Sequence, residues 1–400
     1  TGIDNAFATG SSVNVATGAT LALNNFNQTA QDLTGAGAVT LGTGTLTAQN
    51  NNDTTFDGTL TGTGGITKTG TGTLTLSNSG NSVGAADIAA GILHLTQTGT
   101  FSAASLLVDT GATAQLDSNA LIATTGTSTV NGTLDVTLGG SAPMLTAADA
   151  TLGSNAALTV TGFTPLAATK ASDLNGARTV IIQTTGGITG DFATVSGITA
   201  SDVDYIINSA RKSADGNSYS VGSELTWNAG PTLASGNFTL TDASDTFDAD
   251  VVLADQSASS TGWDGTSLTK LGAGNLTLSA ANTYTGVTTV QAGTLTTGIE
   301  NAIATSDTVT VASGATLALN NFNQLVQDLS GAGIITLGTG TLSAQSNNDT
   351  TFDGQLTGTG GLTKTGTGVL TLSGLTNSVG DTSVSAGTLH LTQNGMFNAA

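Results

Sequence analysis

The chain repeats itself over a long interval, and this constrains its fold more than any single motif. Residues Thr1 to Ala104 align without a gap onto Thr297 to Ala400, 296 positions later, and 75 of the 104 pairs are identical. Inserting such a block would wreck a closed globule. A solenoid tolerates it, because each structural repeat touches only its neighbours. The sequence therefore predicts an elongated tandem array, an architecture of scaffolds and surface proteins far more than of single-site enzymes.

Beneath the long repeat lies a shorter one. Segments such as Thr73-Leu74-Thr75-Leu76, Ile92-Leu93-His94-Leu95 and Thr133-Leu134-Asp135-Val136 place an apolar residue at every second position. Their central residues, Leu21, Leu46, Leu74, Leu93, Ala114, Leu134 and Leu158, are spaced by 25, 28, 19, 21, 20 and 24, and the series resumes at Leu276, Leu295, Leu317, Leu342, Leu370 and Leu389. With 55 glycines and only 3 prolines, the pattern reads as brief strands between tight turns. It predicts an all-β chain, a right-handed parallel β-helix in which each coil buries alternate side chains and pairs its backbone with the coils above and below. A stack of β-sandwich domains is the competing architecture, but it demands hairpins, whose signals are sparse here.

One stretch, 164–227, breaks the pattern. It holds Lys170, Arg178, Arg211 and Lys212, four of the seven basic residues, and Tyr205 and Tyr219. Asp215-Gly216 reads as a hairpin turn within it. The expected organisation is β-helix coils over 1–163, an irregular, hairpin-containing segment over 164–230, and coils again over 231–400, of which 297–400 repeats 1–104.

Charge narrows the partners. There are 27 acids against 7 Lys and Arg, for a formal charge of −20, and the acids are dispersed. Nucleic acid needs clustered cations to neutralise phosphates, so it is excluded as a partner. No apolar run approaches the ~20 residues of a membrane helix, so direct membrane insertion by this segment is not expected, and any export signal or anchor belongs outside it. There is no cysteine, so folding outside the cell would rest on backbone ladders and packing.

Three places share a further motif. Ile66-Thr67-Lys68-Thr69-Gly70-Thr71-Gly72-Thr73-Leu74-Thr75-Leu76-Ser77 recurs from Leu268 to Ser279 and from Leu362 to Ser373, and the middle copy continues through Asn282-Thr283-Tyr284-Thr285-Gly286 to Ala292-Gly293-Thr294-Leu295. The pattern resembles the passenger-associated transport repeat of autotransporter passenger domains. The first and third copies lack the tyrosine. The resemblance implies a β-helical passenger on the surface of a Gram-negative bacterium, extracellular and tethered through an outer-membrane translocator not included in this chain. A long repeat passenger without a protease domain is similar to the AIDA-type adhesins, which implies cell aggregation, biofilm formation and attachment to host surfaces. Lys68, Lys270 and Lys364 are read as corner residues whose stems lie along the coil.

Chemistry is sparse. His94 and His390 occupy the same repeat position and should face outward. No glycine-flanked Ser with His and Asp partners occurs, which argues against a hydrolase triad. Asp202 with Asp204, Asp53 with Asp57, and the group Asp242, Asp245, Asp248 and Asp250 offer the paired acids of a polysaccharide-cleaving β-helix enzyme, the remote alternative. The run Asp242 to Asp255 lacks the spacing of a calcium loop. No enzyme activity, cofactor or metal is expected.

The polar surface remains. Asn50 to Gly58 is read as a protruding loop on a 28-residue coil, repeated at Ser346 to Gly354. Asn51, Asn52, Asp53 and Asp57, with Asn347, Asn348, Asp349 and Asp353, are the candidates for homotypic association between cells, while Phe26 and Phe56 are expected to fill the core. Tyr205, Arg211, Lys212 and Tyr219 are the candidates for binding a host glycan or matrix protein. A purely structural spacer is the third reading.

Overall fold

A computed structural model describes residues 1–140, 143–303, 305–392 and 397–399. Its described helices are two 3-10 turns, Ala171–Leu174 and Thr226–Asn228; the remaining regular structure is short strands. They gather into two compact units. The first comprises Thr1–Pro165, Arg178–Thr199 and Asn208–Gly222, and the second Leu166–Ala177, Ala200–Ile207 and Ser223–Ala400.

The first unit is a parallel β-solenoid with three strand faces. On one, Thr73–Leu76 pairs with Ile92–Leu95, then Thr113–Leu116, Thr133–Thr137, Ala157–Thr161 and Thr194–Ser196, every step parallel. Leu74, Leu93, Ala114, Leu134 and Leu158 stack in register along it, all buried. Burying such a leucine stabilises the coil by about 1.5–3 kcal/mol, which drives the alternating pattern into strands whose inward positions form one column. A second face runs from Leu46–Gln49 to Ile66–Thr69 to Ser82–Ile88, and a third from Thr20–Ala22 to Ala38–Gly42 to Thr59–Gly62.

This corrects the coil lengths. Leu21, Leu46 and Leu74 lie on three different faces, so the spacings of 25 and 28 join columns that never stack. Leu46 pairs with Ile66, and Leu21 with Val39. The stretch from Leu46 to Leu74 is therefore not one 28-residue coil, and Asn50 to Gly58 is no protruding loop: the strands Leu46–Gln49 and Thr54–Phe56 leave a corner of four residues between them. Phe56 is fully buried, whereas Phe26 is only half-buried.

Corners depend on residues that accept left-handed backbone. Gly70 has φ +77°, and a Cβ there would stand 2.4 Å from the carbonyl oxygen of Asn50 in the coil below. Asn24 and Asn25 take the same region at φ 52° and 72°, and Asn320 and Asn321 match them at 50° and 72°. Asn25 and Asn27 then accept backbone N–H bonds from Thr43 (3.0 Å) and Thr45 (2.8 Å), stapling one coil to the next.

Antiparallel pairing appears where the pattern broke. Arg178–Thr189 runs antiparallel to Ser218–Leu225, joining Arg178 to Gly222 and Val180 to Ser220. The turn from Ile206–Lys212 into Ser218–Leu225 closes with Ser213 N–H donating to Ser218 (2.9 Å) and Gly216 N–H to Ser213 (3.0 Å).

The second unit is likewise a parallel β-solenoid. Asn237–Thr239, Leu268–Leu271, Thr288–Val290, Thr308–Val311 and Asp328–Gly331 form one ladder. Thr246–Ala249, Asn275–Leu278, Thr294–Thr297 and Thr316–Ala318 form another. An aromatic core opens it: Tyr205 stacks on Phe238 with centroids 5.8 Å apart, and Trp227 meets Trp263 at 4.7 Å and Tyr284 at 5.4 Å.

Candidate functional site

Of the residues singled out for self-association, Asn51, Asn52 and Asp53 share one corner of the coil and Asp57 follows the strand Thr54–Phe56; all are exposed, as are their counterparts in the second copy. The corner exists because the strand Leu46–Gln49 must turn into Thr54–Phe56 around buried Asn50. The side chains around it form a ladder across coils. Asn52 Nδ2 donates to Asp32 Oδ2 at 2.6 Å, Asp53 Oδ1 accepts the Thr73 N–H at 2.7 Å, and Asp57 accepts from the hydroxyl of Ser77.

The second copy reproduces it. Asn348 donates to Asp328, Asp349 accepts the Val369 N–H at 2.9 Å, Asp353 accepts from Ser373, and the Asn347 carboxamide oxygen takes the Thr367 N–H at 3.4 Å. The hydrogen bond from the Thr73 backbone, with its side chain and then Lys68 assisting against a small desolvation, holds the Asp53 carboxyl below the usual carboxylate range. The ladder thus presents carboxylates and carboxamides to solvent, with Asn52, Asp53 and Asp57 each anchored to a neighbouring coil.

The receptor candidates do not assemble into a surface. Tyr205 is buried in the aromatic core of the second unit, and Tyr219 in the first, where its hydroxyl donates to Asp191 at 2.7 Å. Burial and that carboxylate acceptor push the Tyr219 phenol well above its ordinary range. Clustered aromatics and cations suggested an exposed patch; the aromatics instead fill space where regular coils give way. Arg211 and Lys212 are half-buried, and the Lys212 ammonium donates to the Gly190 carbonyl at 2.6 Å.

The three motif lysines also need correcting. Lys68, Lys270 and Lys364 lie inside the coils with at most 1% exposure, not along the outer corner. The Lys68 ammonium donates to the carbonyl oxygens of Thr69 (2.8 Å), Gly70 (3.0 Å) and Ala90 (3.1 Å). Lys270 repeats this with Leu271, Gly272 and Ala292. The signal was in the sequence: Lys68 is two residues from inward Ile66, as Lys270 is from Leu268 and Lys364 from Leu362, so alternation points all three inward.

The paired acids act as staples. Asp204 accepts from the backbone and hydroxyl of Thr239, and Asp250 from the backbone and hydroxyl of Ser172. His94 Nε2 sits 3.0 Å from Asp117. Among the described residues no three His, Asp or Glu side chains converge as a metal site would require.

Parallel solenoid coils with a repeated polar corner define the class, a β-solenoid repeat protein. Its sequence matches the passenger-associated-transport-repeat family model three times, at residues 66–95, 268–296 and 362–391. It is also similar to the adhesin BmaC autotransporter of Brucella suis biovar 1 (strain 1330), with 32% identity over 225 residues. That match spans 52% of this chain and 7% of the relative. Through these three repeats and that relative, the chain is similar to autotransporter passenger domains. The passenger family implies a surface-exposed, extracellular location, and the described helices include none long and apolar enough to cross a membrane.

Proposed function

We propose that this segment is adhesive and acts by homotypic association, displayed on a Gram-negative cell through an outer-membrane translocator and promoting aggregation and biofilm growth. The observation behind the proposal is the polar ladder: Asn51, Asn52, Asp53 and Asp57 recur as Asn347, Asn348, Asp349 and Asp353, all exposed, and Asn52, Asp53 and Asp57 make the same hydrogen bonds as their counterparts. The relative named as an adhesin supports it as well.

The chemistry suits self-recognition. A carboxamide both donates and accepts, so two copies of the ladder are complementary, with Asn donors of one meeting Asp acceptors of the other. Each hydrogen bond is worth only about 0.5–1.5 kcal/mol net, so strength comes from repetition along the array. The charge of −20 opposes contact between copies. Screening at a Debye length of about 8 Å in physiological salt relieves that repulsion.

Beads coated with the 400-residue protein provide the test. They should clump in physiological salt and faster in ~0.5 M salt. Asn51→Asp combined with Asn347→Asp keeps shape and acceptor oxygen, removes the donor and adds like charge, and should leave the beads dispersed. Wild-type beads that stay dispersed at every salt would overturn the proposal and favour a spacer. Capture of a host glycan or matrix protein by the hairpin region now rests on Arg211 and Lys212 alone, because Tyr205 and Tyr219 are buried.

A further inference from the structure

Between the strands Thr246–Ala249 and Leu268–Leu271 lie 18 residues with no strand, at a point where the next two coils use 9 and 10. The excursion is ordered. Gln256 N–H donates to Gly265 and Ser259 N–H to Trp263, both at 2.8 Å, so residues 256–265 close on themselves. Ser260 N–H then reaches Pro231 (2.7 Å) and the Thr261 hydroxyl reaches Ala234 (2.9 Å), folding the loop back onto the segment before Asn237.

A cavity of about 430 Å3 opens beside this loop, lined among others by Ser235, Asn237, Trp263, Asp264 and Thr269. That volume lies in the ~300–1,000 Å3 range of small-molecule sites. Trp263 is fixed before any ligand arrives. Its ring packs edge-on to Trp227, its Nε1 donates to the Ser267 carbonyl at 2.7 Å, and it remains half-buried, with part of the indole facing the cavity. Asn237 and Thr269 are cross-strand partners. Neither the Asn237 carboxamide nor the Thr269 hydroxyl makes a hydrogen bond within the described residues, so their full capacity faces outward.

Asp264 completes the set. Burial tends to raise its carboxyl, but hydrogen bonds from the Ser267 hydroxyl and from the backbone N–H groups of Thr266 and Ser267 outweigh it and bring it below the usual range. It is an ionised acceptor at neutral pH.

We infer that this cavity binds a neutral saccharide. A pyranose is apolar on its C–H face and ringed by hydroxyls, and the cavity offers one indole with a carboxamide, a carboxylate and a hydroxyl around it. The absence of a lysine or arginine from the lining, together with the Asp264 charge, disfavours acidic sugars. Neither the corner ladder nor the hairpin takes part, so this site stands or fails independently of self-association.

The test uses the intact 400-residue protein with lactose and cellobiose as neutral probes and glucuronate as the charged comparison. The chain's two tryptophans, Trp227 and Trp263, are in contact, so tryptophan emission reports on this cluster alone. Ligand-detected NMR supplies a second readout. At least one disaccharide should shift the emission and show saturation transfer at millimolar concentration, and glucuronate should do neither. Asn237→Ala, an exposed and structurally idle position, should weaken binding by about fivefold or more with unchanged melting, the equivalent of one lost hydrogen bond. Trp263→Phe should weaken it too. No response to either disaccharide, or an Asn237→Ala protein that binds like wild type, would overturn the inference.

Discussion

Lys270 Nζ lies 2.8 Å from the carbonyl oxygen of Gly272, the left-handed residue that turns the coil corner two positions later. The same pairing joins Lys68 to Gly70 and Lys364 to Gly366, each at 3.0 Å. A corner turned this tightly aims carbonyls inward that no strand can pair. An ammonium with three donors satisfies them, which explains a cation inside an apolar coil. Replacing Lys270 by Met keeps the stem and orphans the carbonyls. The expected cost is about 2–4 kcal/mol, seen as faster amide exchange across residues 268–294 while the coils beyond exchange as before.

The same lysines give stability a pH dependence. Burial lowers both Lys68 and Lys270 to about 8, with Asp53 opposing the shift at Lys68. Below pH 8 these groups are protonated folded or unfolded, and the desolvation cost is fully present. Between about 8 and the ordinary 10.5 the unfolded chain binds more protons than the folded one, so stability should rise with pH. The urea midpoint at pH 9.5 should therefore exceed that at pH 7.5, and a Lys68→Met, Lys270→Met protein should lose the difference. A midpoint that falls across this window in the wild-type protein would contradict the assignment.

The period-2 alternation was enough to read which side chains enter the core and that the chain is a solenoid. It could not say which face a strand belongs to. Leu21, Leu46 and Leu74 carry the same local signature, and only hydrogen-bonded register separates them. Lys68 looks like an outer corner residue only if a lysine's usual preference for water outweighs the phase of its own strand, and in the coil the phase prevails. Tyr205 and Tyr219 misled because a coil interrupted by an excursion needs large side chains to fill the gap, and composition alone does not distinguish a filler from an exposed contact. Trp263 carries no signal in the sequence, because its neighbours Ser235, Asn237 and Thr269 gain meaning only when the loop folds back beside them.

Two glycines separate backbone strain from coil stacking. Gly272 and Gly314 share a left-handed backbone, at φ +74° and +83°. A Cβ on Gly314 meets nothing within 4 Å, but one on Gly272 would lie 2.0 Å from the Leu240 carbonyl oxygen in the adjacent coil. Gly314→Ala should cost only the backbone penalty, roughly 1–2 kcal/mol. Gly272→Ala adds a clash that forces neighbouring coils apart, and should cost at least about 1–3 kcal/mol more in denaturant melts. Equal costs would mean that the coils do not press on each other at this corner.

The hairpin hangs on Arg178. Its guanidinium donates to the Ser220 hydroxyl (3.0 Å) and the Ser220 carbonyl (2.9 Å), to the Ser209 hydroxyl and carbonyl (both 3.1 Å), and to the Gly222 carbonyl (3.2 Å), so one side chain ties three strands. A planar five-donor fork suits this task, and lysine, with three donors on a flexible stem, should not replace it. Arg178→Ala removes several charge-assisted bonds at once and should destabilise the hairpin by about 2–4 kcal/mol. Hydrogen exchange should accelerate over residues 206–212 and 218–222, while the strand Thr73–Leu76, stacked coils away, keeps its protection. Arg178→Lys should recover only part of it. If Arg178→Lys restored full protection, charge alone would account for the anchoring, and the fork geometry would be incidental.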